Sequence, residues 1–251
     1  MYSRHRNRAL AVLTATALAT LTGCASLTPV ASSPHTAVPL SGVIATGKLV
    51  SVRSDDPVTG AIAVLASPLS HTLTIRLTGM AGNLGTVSEV LFSSAAVKAG
   101  TTCTPYGLAY SAGSLSTGAD EQLTVHADSS PGWENPSFLH SVILTGTVPS
   151  TNECASGMIA YAPLAWTVGD PRPDIHVLDK GSRPGATGHP AEVDGTVRSY
   201  VVVAGDNLDS IAARFNLTPS ELFYLNPART PSPLSTVVKV GEILNLSKSN
   251  R

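Results

Sequence analysis

Residues 200–227 read YVVVAGDNLDSIAARFNLTPSELFYLNP, and residues 237–246 read VVKVGEILNL. Tyr200, Val201, Val202 and Val203 form a short β-prone run, and Gly205-Asp206-Asn207 is a turn that also offers helix-capping side chains. Leu208, Ile211, Ala212 and Phe215 fall at i, i+3, i+4 and i+7, so a helix places all four apolar side chains on one stripe. Asn216 ends that helix, because its short amide tolerates the left-handed conformation of a helix terminus. Thr218-Pro219-Ser220-Glu221 starts a second helix. Threonine caps it, glutamate stands at the third helical position, and proline sits where its missing N–H costs nothing. Asn226-Pro227 closes this helix, and residues 237–246, turning at Gly241-Glu242, supply a second short strand to pair with the first.

Strand, helix, helix, strand in this order resembles a LysM domain. The likeness rests on Gly205-Asp206-x-Leu208, Ile211-Ala212-x-x-Phe215, Leu222-x-x-Leu225-Asn226-Pro227 and Val240-Gly241-x-x-Leu244, and it covers residues 199–247. It implies binding of N-acetylglucosamine polymers, peptidoglycan or chitin, in a shallow groove between two loops. Carried over by position, the first loop is Gly205, Asp206, Asn207 and Leu208, and the second comprises Pro227 with Val238, Lys239 and Val240. Backbone groups in tight turns suit N-acetyl groups and apolar side chains cover a sugar face, so binding requires no catalytic acid. Asn207 stands where the family usually carries threonine or serine, and the loop 228–236 is longer than usual and rich in proline.

The N-terminal residues say where such a module works. Arg4, Arg6 and Arg8 precede a run of small and apolar residues, 9–21, that ends in Leu21-Thr22-Gly23-Cys24. This pattern is a secretory signal peptide, and its apolar run is too short to span a bilayer, which takes about 20 residues. Leu-Thr-Gly-Cys resembles the bacterial lipobox, which implies cleavage after residue 23 and lipidation of Cys24; the plainer alternative is a signal peptide cut elsewhere. Two or more acyl chains give stable anchoring. The expected location is therefore outside the cytoplasm, on the cell membrane and facing the wall. The chain has 3 cysteines. With Cys24 lipidated, an oxidising compartment makes a disulfide between Cys103 and Cys154 the natural pairing. Closing so long a loop would stabilise by about 4 kcal/mol on the chain-entropy model. Two distant cysteines without a CxxC or a nearby histidine pair do not make a zinc site.

A length of 251 residues leaves room for one medium domain and one small one. The formal net charge is −1, only 13% of residues are charged, and no basic patch with interleaved aromatics occurs, which argues against a nucleic-acid partner. Residues 24–40 are rich in Ser, Thr, Pro and Ala and read as a flexible tether. Across 41–169, short β-prone runs alternate with turn residues at 42–52, 61–66, 72–77, 86–92, 122–126, 141–144 and 158–168. That spacing predicts an all-β sandwich or barrel of unassigned function. Residues 170–198, with prolines at 171, 173, 184 and 190, read as a largely extended linker. Within it, Asp194-Gly195 between β-prone flanks is a hairpin turn placed to dock against the edge of the C-terminal module.

The β domain carries no Gly-x-Ser-x-Gly elbow, His-Glu-x-x-His or phosphate-binding loop. His71, His126 and His140 lie in or beside strand runs, either as a metal or acid–base cluster or, more commonly, as isolated strand and rim residues. Glu134, beside Trp133 in a proline- and glycine-rich loop, is a candidate glycosidase acid with Asp120 or Glu121 as partner, although such loops are usually simple turns. The sequence thus predicts an all-β domain followed by a small βααβ LysM domain. The expected chain is a lipid-anchored, non-catalytic binder of peptidoglycan glycan that needs no cofactor and no metal. Its β domain is a spacer or a contact for an envelope protein. The competing expectation is an envelope enzyme whose active site lies in the β domain and whose LysM module targets it to the wall.

Overall fold

Ten strands in chain order build the larger part of the described molecule: β1 Gly42–Lys48, β2 Val50–Ser51, β3 Thr59–Ser67, β4 Thr72–Ala81, β5 Val87–Ser93, β6 Ala109–Gly113, β7 Glu121–His126, β8 Ser141–Gly146, β9 Gly157–Pro163 and β10 Ala165–Trp166. The computed structural model describes residues 39–68, 72–116, 120–126, 131–146, 157–229 and 237–251. Cys24 with the signal peptide and nearly all of the tether, His71, Cys154 and loop residues 230–236 lie outside the described residues.

The strands form two antiparallel five-stranded sheets, ordered β10-β1-β3-β4-β7 and β2-β9-β8-β5-β6. Their inner faces share one core. Ile44, Ile62, Val64, Leu73, Ile75 and Leu77 of the first sheet pack with Val90, Phe92, Val142, Leu144 and Ala160 of the second. The fold is therefore a sandwich, and period-2 alternation is its cause: Leu73, Ile75 and Leu77 on β4 are buried while Thr72, Thr74 and Arg76 between them are half-exposed. β8 is buried along its whole length because its outer face is also covered, Ile143 lying under Met158, Tyr161 and Val97. Phe92 stacks on Trp166 across the two sheets at 6.1 Å, and the indole N–H of Trp166 donates to the Leu139 carbonyl at 2.8 Å.

Two of the expected strand runs are each divided between sheets. The run 42–52 breaks at Leu49, so that β1 lies in one sheet and β2 in the other, and the run 158–168 breaks at Leu164 between β9 and β10. These paired crossings lace the sandwich along one side. β6, AYSAG, was not expected, since its alanines, serine and glycine carry no apolar alternation; its pairing with β5 forms it.

The C-terminal module adds β11 His189–Val193, β12 Thr196–Val201, the helices α1 Leu208–Arg214 and α2 Pro219–Leu225, and β13 Ile243–Asn245. Its sheet order is β11-β12-β13. Leu208, Ile211, Ala212 and Phe215 are all buried, as the stripe requires. Asn216 takes a left-handed φ of 58°, and the Leu217 N–H closes back on the Ala212 carbonyl at 2.9 Å, a Schellman-type stop. The reciprocal capping box between Thr218 and Glu221 is present. Asn226 and Asn245 then lock α2 to β13: the Asn245 N–H donates to Asn226 Oδ1 at 2.8 Å, and Asn226 Nδ2 donates to the Asn245 carbonyl at 2.9 Å.

The segment read as an extended linker does more than span a gap. Ile175 and Ala186 are buried in the C-terminal core, and residues 189–193 form the third strand of its sheet. Asp194 and Gly195, with φ of 51° and 70°, make the expected tight hairpin between β11 and β12. The segment also runs past the end of α1, where the Leu178 and Lys180 N–H groups donate to the Phe215 and Arg214 carbonyls at 3.1 and 2.9 Å. Those carbonyls have no partner within so short a helix, which is why the segment binds there.

Candidate functional site

Both loops that the resemblance marks for glycan contact are set by the pairing of the chain around Val202. Its N–H donates to the Glu242 carbonyl and its carbonyl accepts from the Gly241 N–H, each at 2.9 Å, which brings residues 203–208 beside residues 237–242. Within the first loop the four residues have different roles. Leu208 is buried in the core. Asp206 turns inward and accepts from the Tyr200 hydroxyl at 2.6 Å, the Val203 N–H at 3.0 Å and the Thr187 N–H at 2.8 Å. Asn207 caps α1 by accepting from the Ser210 N–H at 2.9 Å, and its own N–H donates to the Gly185 carbonyl at 2.8 Å. Only Gly205 and Asn207 of the four are exposed.

The electrostatics of this loop are structural. Burial tends to raise the Asp206 carboxyl, but the hydrogen bonds from Tyr200, Val203 and Thr187 outweigh it and leave the group below its ordinary value. Burial, then the bond to Asp206, pushes the Tyr200 phenol up to about 12, so it remains a donor at neutral pH. That hydroxyl also accepts from the Gly188 N–H at 2.7 Å. Arg214, buried at the end of α1, forks onto Asp179 at 2.8 and 2.9 Å and donates to the Ala186 and Gly188 carbonyls at 3.0 Å. Tyr200, Asp206 and Arg214 together hold residues 185–188 against one side of the candidate groove. Sequence reading missed this clamp. The signal available was Arg214 beside the apolar stripe, but nothing local pointed to Asp179.

The second loop offers the apolar surface. Val240 is 72% exposed, with Val237 at 65% and Ile243 at 68%. Val238 is half-buried against the core, and Lys239 is exposed, its N–H donating to Glu242 Oε2 at 3.0 Å. Glu242 is held in turn by Arg229 at 2.7 and 3.1 Å. Burial raises the Glu242 carboxyl and the Arg229 bond lowers it, with a net depression. Pro227 packs elsewhere: it lies against Gly132 of the sandwich and borders a cleft between the two modules. Backbone-lined turns beside exposed aliphatic side chains can hold a neutral acetylated sugar without acid or base chemistry.

The candidate catalytic carboxylates of the β domain are occupied. Glu134 forms a bidentate pair with the buried Arg172 at 2.6 and 2.7 Å. That pair holds the Arg172 guanidinium above its ordinary pKa. Asp120 accepts from the Gly79 N–H at 2.8 Å, and both Glu121 oxygens accept from the Ser116 N–H at 2.9 Å. Among the described residues, no group of three or more His, Cys, Asp or Glu side chains is placed to hold a metal ion. Of the three histidines, His140 is exposed at the rim of the cleft, while only the backbone of His126, paired with Thr72, is described. Cys103 forms a one-residue bridge with Gly157 at the start of β9.

Comparison with known families places this geometry. Residues 200–247 match the LysM domain model, and this segment is a LysM domain, a module for carbohydrate binding of the peptidoglycan and chitin type. No curated protein and no solved structure matches the chain.

Proposed function

We propose that this chain is a bacterial surface lipoprotein, held at the membrane by acyl chains on Cys24 and holding peptidoglycan glycan through its LysM domain without catalysis. The LysM domain at 200–247 is the observation that carries the reading. Support for the anchor comes from Arg4, Arg6 and Arg8, the apolar run after them, and Leu21-Thr22-Gly23-Cys24. No described helix is long and apolar enough to cross a membrane. Anchoring raises the effective concentration of a weak glycan site near its polymer, so one module of modest affinity is sufficient. Glu134, Asp120 and Glu121 each hold a structural partner, which favours binding over hydrolysis. The sandwich serves as a spacer or as a contact for an envelope protein. A disulfide joining Cys103 to Cys154 belongs to the same exported life. Peptide mapping without reductant should recover the two as one linked fragment.

The direct test is retention on insoluble peptidoglycan of a form starting at Ala25, which keeps every described residue. Val240→Asp is the informative variant, because Val240 is exposed and its loss leaves the core intact. Retention by the wild type and release of Val240→Asp supports the reading, and a wild type that stays in the supernatant overturns it. Cys24→Ser should move the full chain from the membrane fraction to the soluble one, and a variant that stays with the membrane would refute the anchor.

A further inference from the structure

A cleft of about 410 Å³ separates the sandwich from the LysM domain. One wall is Leu108, Phe138 and His140, and the other is Pro227, Ile243 and Asn250. This volume falls within the range of about 300–1,000 Å³ typical of small-ligand sites. We propose that this cleft is a second saccharide subsite, continuous with the LysM groove, that takes a further N-acetylated sugar of the same glycan; the proposal rests on the glycan-binding reading.

Three observations point to a neutral sugar. The cleft begins where the second groove loop ends, since Glu242 and Ile243 line it and Val240 stands just before them. Its charges are largely engaged: Arg229 is forked onto Glu242, and the Arg251 guanidinium donates to the carbonyls of Tyr224, Gly132 and Asn135 at 2.7, 2.9 and 3.2 Å. What faces a ligand is therefore an aliphatic side chain, Ile243, with an imidazole, His140, and an amide, Asn250, all three exposed. Apolar carbon to cover a ring, with a few polar groups to meet hydroxyl and acetamido groups, is the composition a saccharide site needs. His140 is well positioned for this because its backbone is fixed, its N–H donating to the Ser93 carbonyl at 2.8 Å and its carbonyl accepting from Leu164 at 3.0 Å.

The test is calorimetric titration of the full chain with N-acetylglucosamine oligomers of increasing length, for the wild type and His140→Ala. Short oligomers that fill the LysM groove alone should bind both proteins equally. For longer ones the variant should lose about fivefold in affinity, within the tenfold that about 1.4 kcal/mol represents. NMR of the wild type gives an independent reading that does not depend on the variant folding: the His140 ring signals should move with the long oligomer and not with the short one. If the wild type binds but neither affinity nor the His140 signals respond to length, the subsite is refuted and the LysM reading stands. Absence of binding at every length removes both.

Discussion

Arg214 ties the segment before β11 to the helical core of the C-terminal module. Its guanidinium lies over the rings of Tyr200 and Phe215 at 5.4 and 5.2 Å while its N–H groups are divided between Asp179 and two carbonyls. Arg214→Ala removes the partner of a half-buried carboxylate and orphans the carbonyl of Gly188, while the Ala186 carbonyl keeps only the longer bond from the Arg183 N–H at 3.3 Å. A stability loss on the order of 3 kcal/mol is expected, measured as a lower midpoint in urea. Arg214→Lys should recover only part of it, because one ammonium cannot reproduce the fork. The same contacts fix the response to acid. The hydrogen bond from Arg214 holds Asp179 below its ordinary value, and Asp206 is likewise depressed, burial being outweighed by its donors. A depressed folded pKa contributes stability that is present above the unfolded carboxylate value, about 3.9, and is lost as pH falls through the folded one. The urea midpoint should therefore drop between pH 5 and pH 3, and Asp179→Asn should flatten that drop while lowering the midpoint at neutral pH.

At the level of elements, α1 and α2 are each too short to be stable alone, so their ends decide whether they form. Asn216 ends one and Thr218 caps the next. Asn216→Ala removes the short amide whose local bonding lets asparagine tolerate its left-handed φ of 58°, at a cost of about 1 kcal/mol, and calorimetry should show Tm lower by about 2–4 °C. This part of the fold was legible because every determinant is local: the stripe, the left-handed asparagine and the capping box all lie within a few residues of each other. β4 was legible for the same reason, since its alternation is written in adjacent residues. β6 was not, because small residues become a strand only through pairing with β5. The clamp on residues 185–188 was hidden for a related reason, as Arg214 and Asp179 are 35 residues apart and neither carries a motif. The stretches 203–207 and 237–242 were legible as turns from their glycines. That Asp206 serves the fold by tying Thr187 to Tyr200 became visible only with the segment in place.

Across the whole described molecule, the decisive feature is that sandwich and LysM domain are docked to each other. Arg172 pairs with Glu134 of the sandwich and lies over the Tyr224 ring at 5.6 Å, Lys248 pairs with Asp170 at 2.8 Å, and the Arg251 guanidinium lies over the same Tyr224 ring at 3.8 Å. Exposed pairs such as Lys248 with Asp170 contribute little alone, so the fit of the surfaces must carry much of the docking. Gly132 is a point of close approach in that fit: a β-carbon there would lie 2.8 Å from the Cα of Pro227, nearer than packed carbon atoms approach. Gly132→Val should accordingly push Pro227 away and loosen the contact while both cores remain folded. Small-angle scattering should report a larger radius of gyration, with an unchanged β-rich circular dichroism spectrum. Because the cleft takes one wall from each module, the variant should also lose the affinity gained with oligomer length but keep its binding of short oligomers. A variant that stays compact would place the docking energy in the arginine contacts around Tyr224, and Arg251→Ala would then be the substitution that separates the modules.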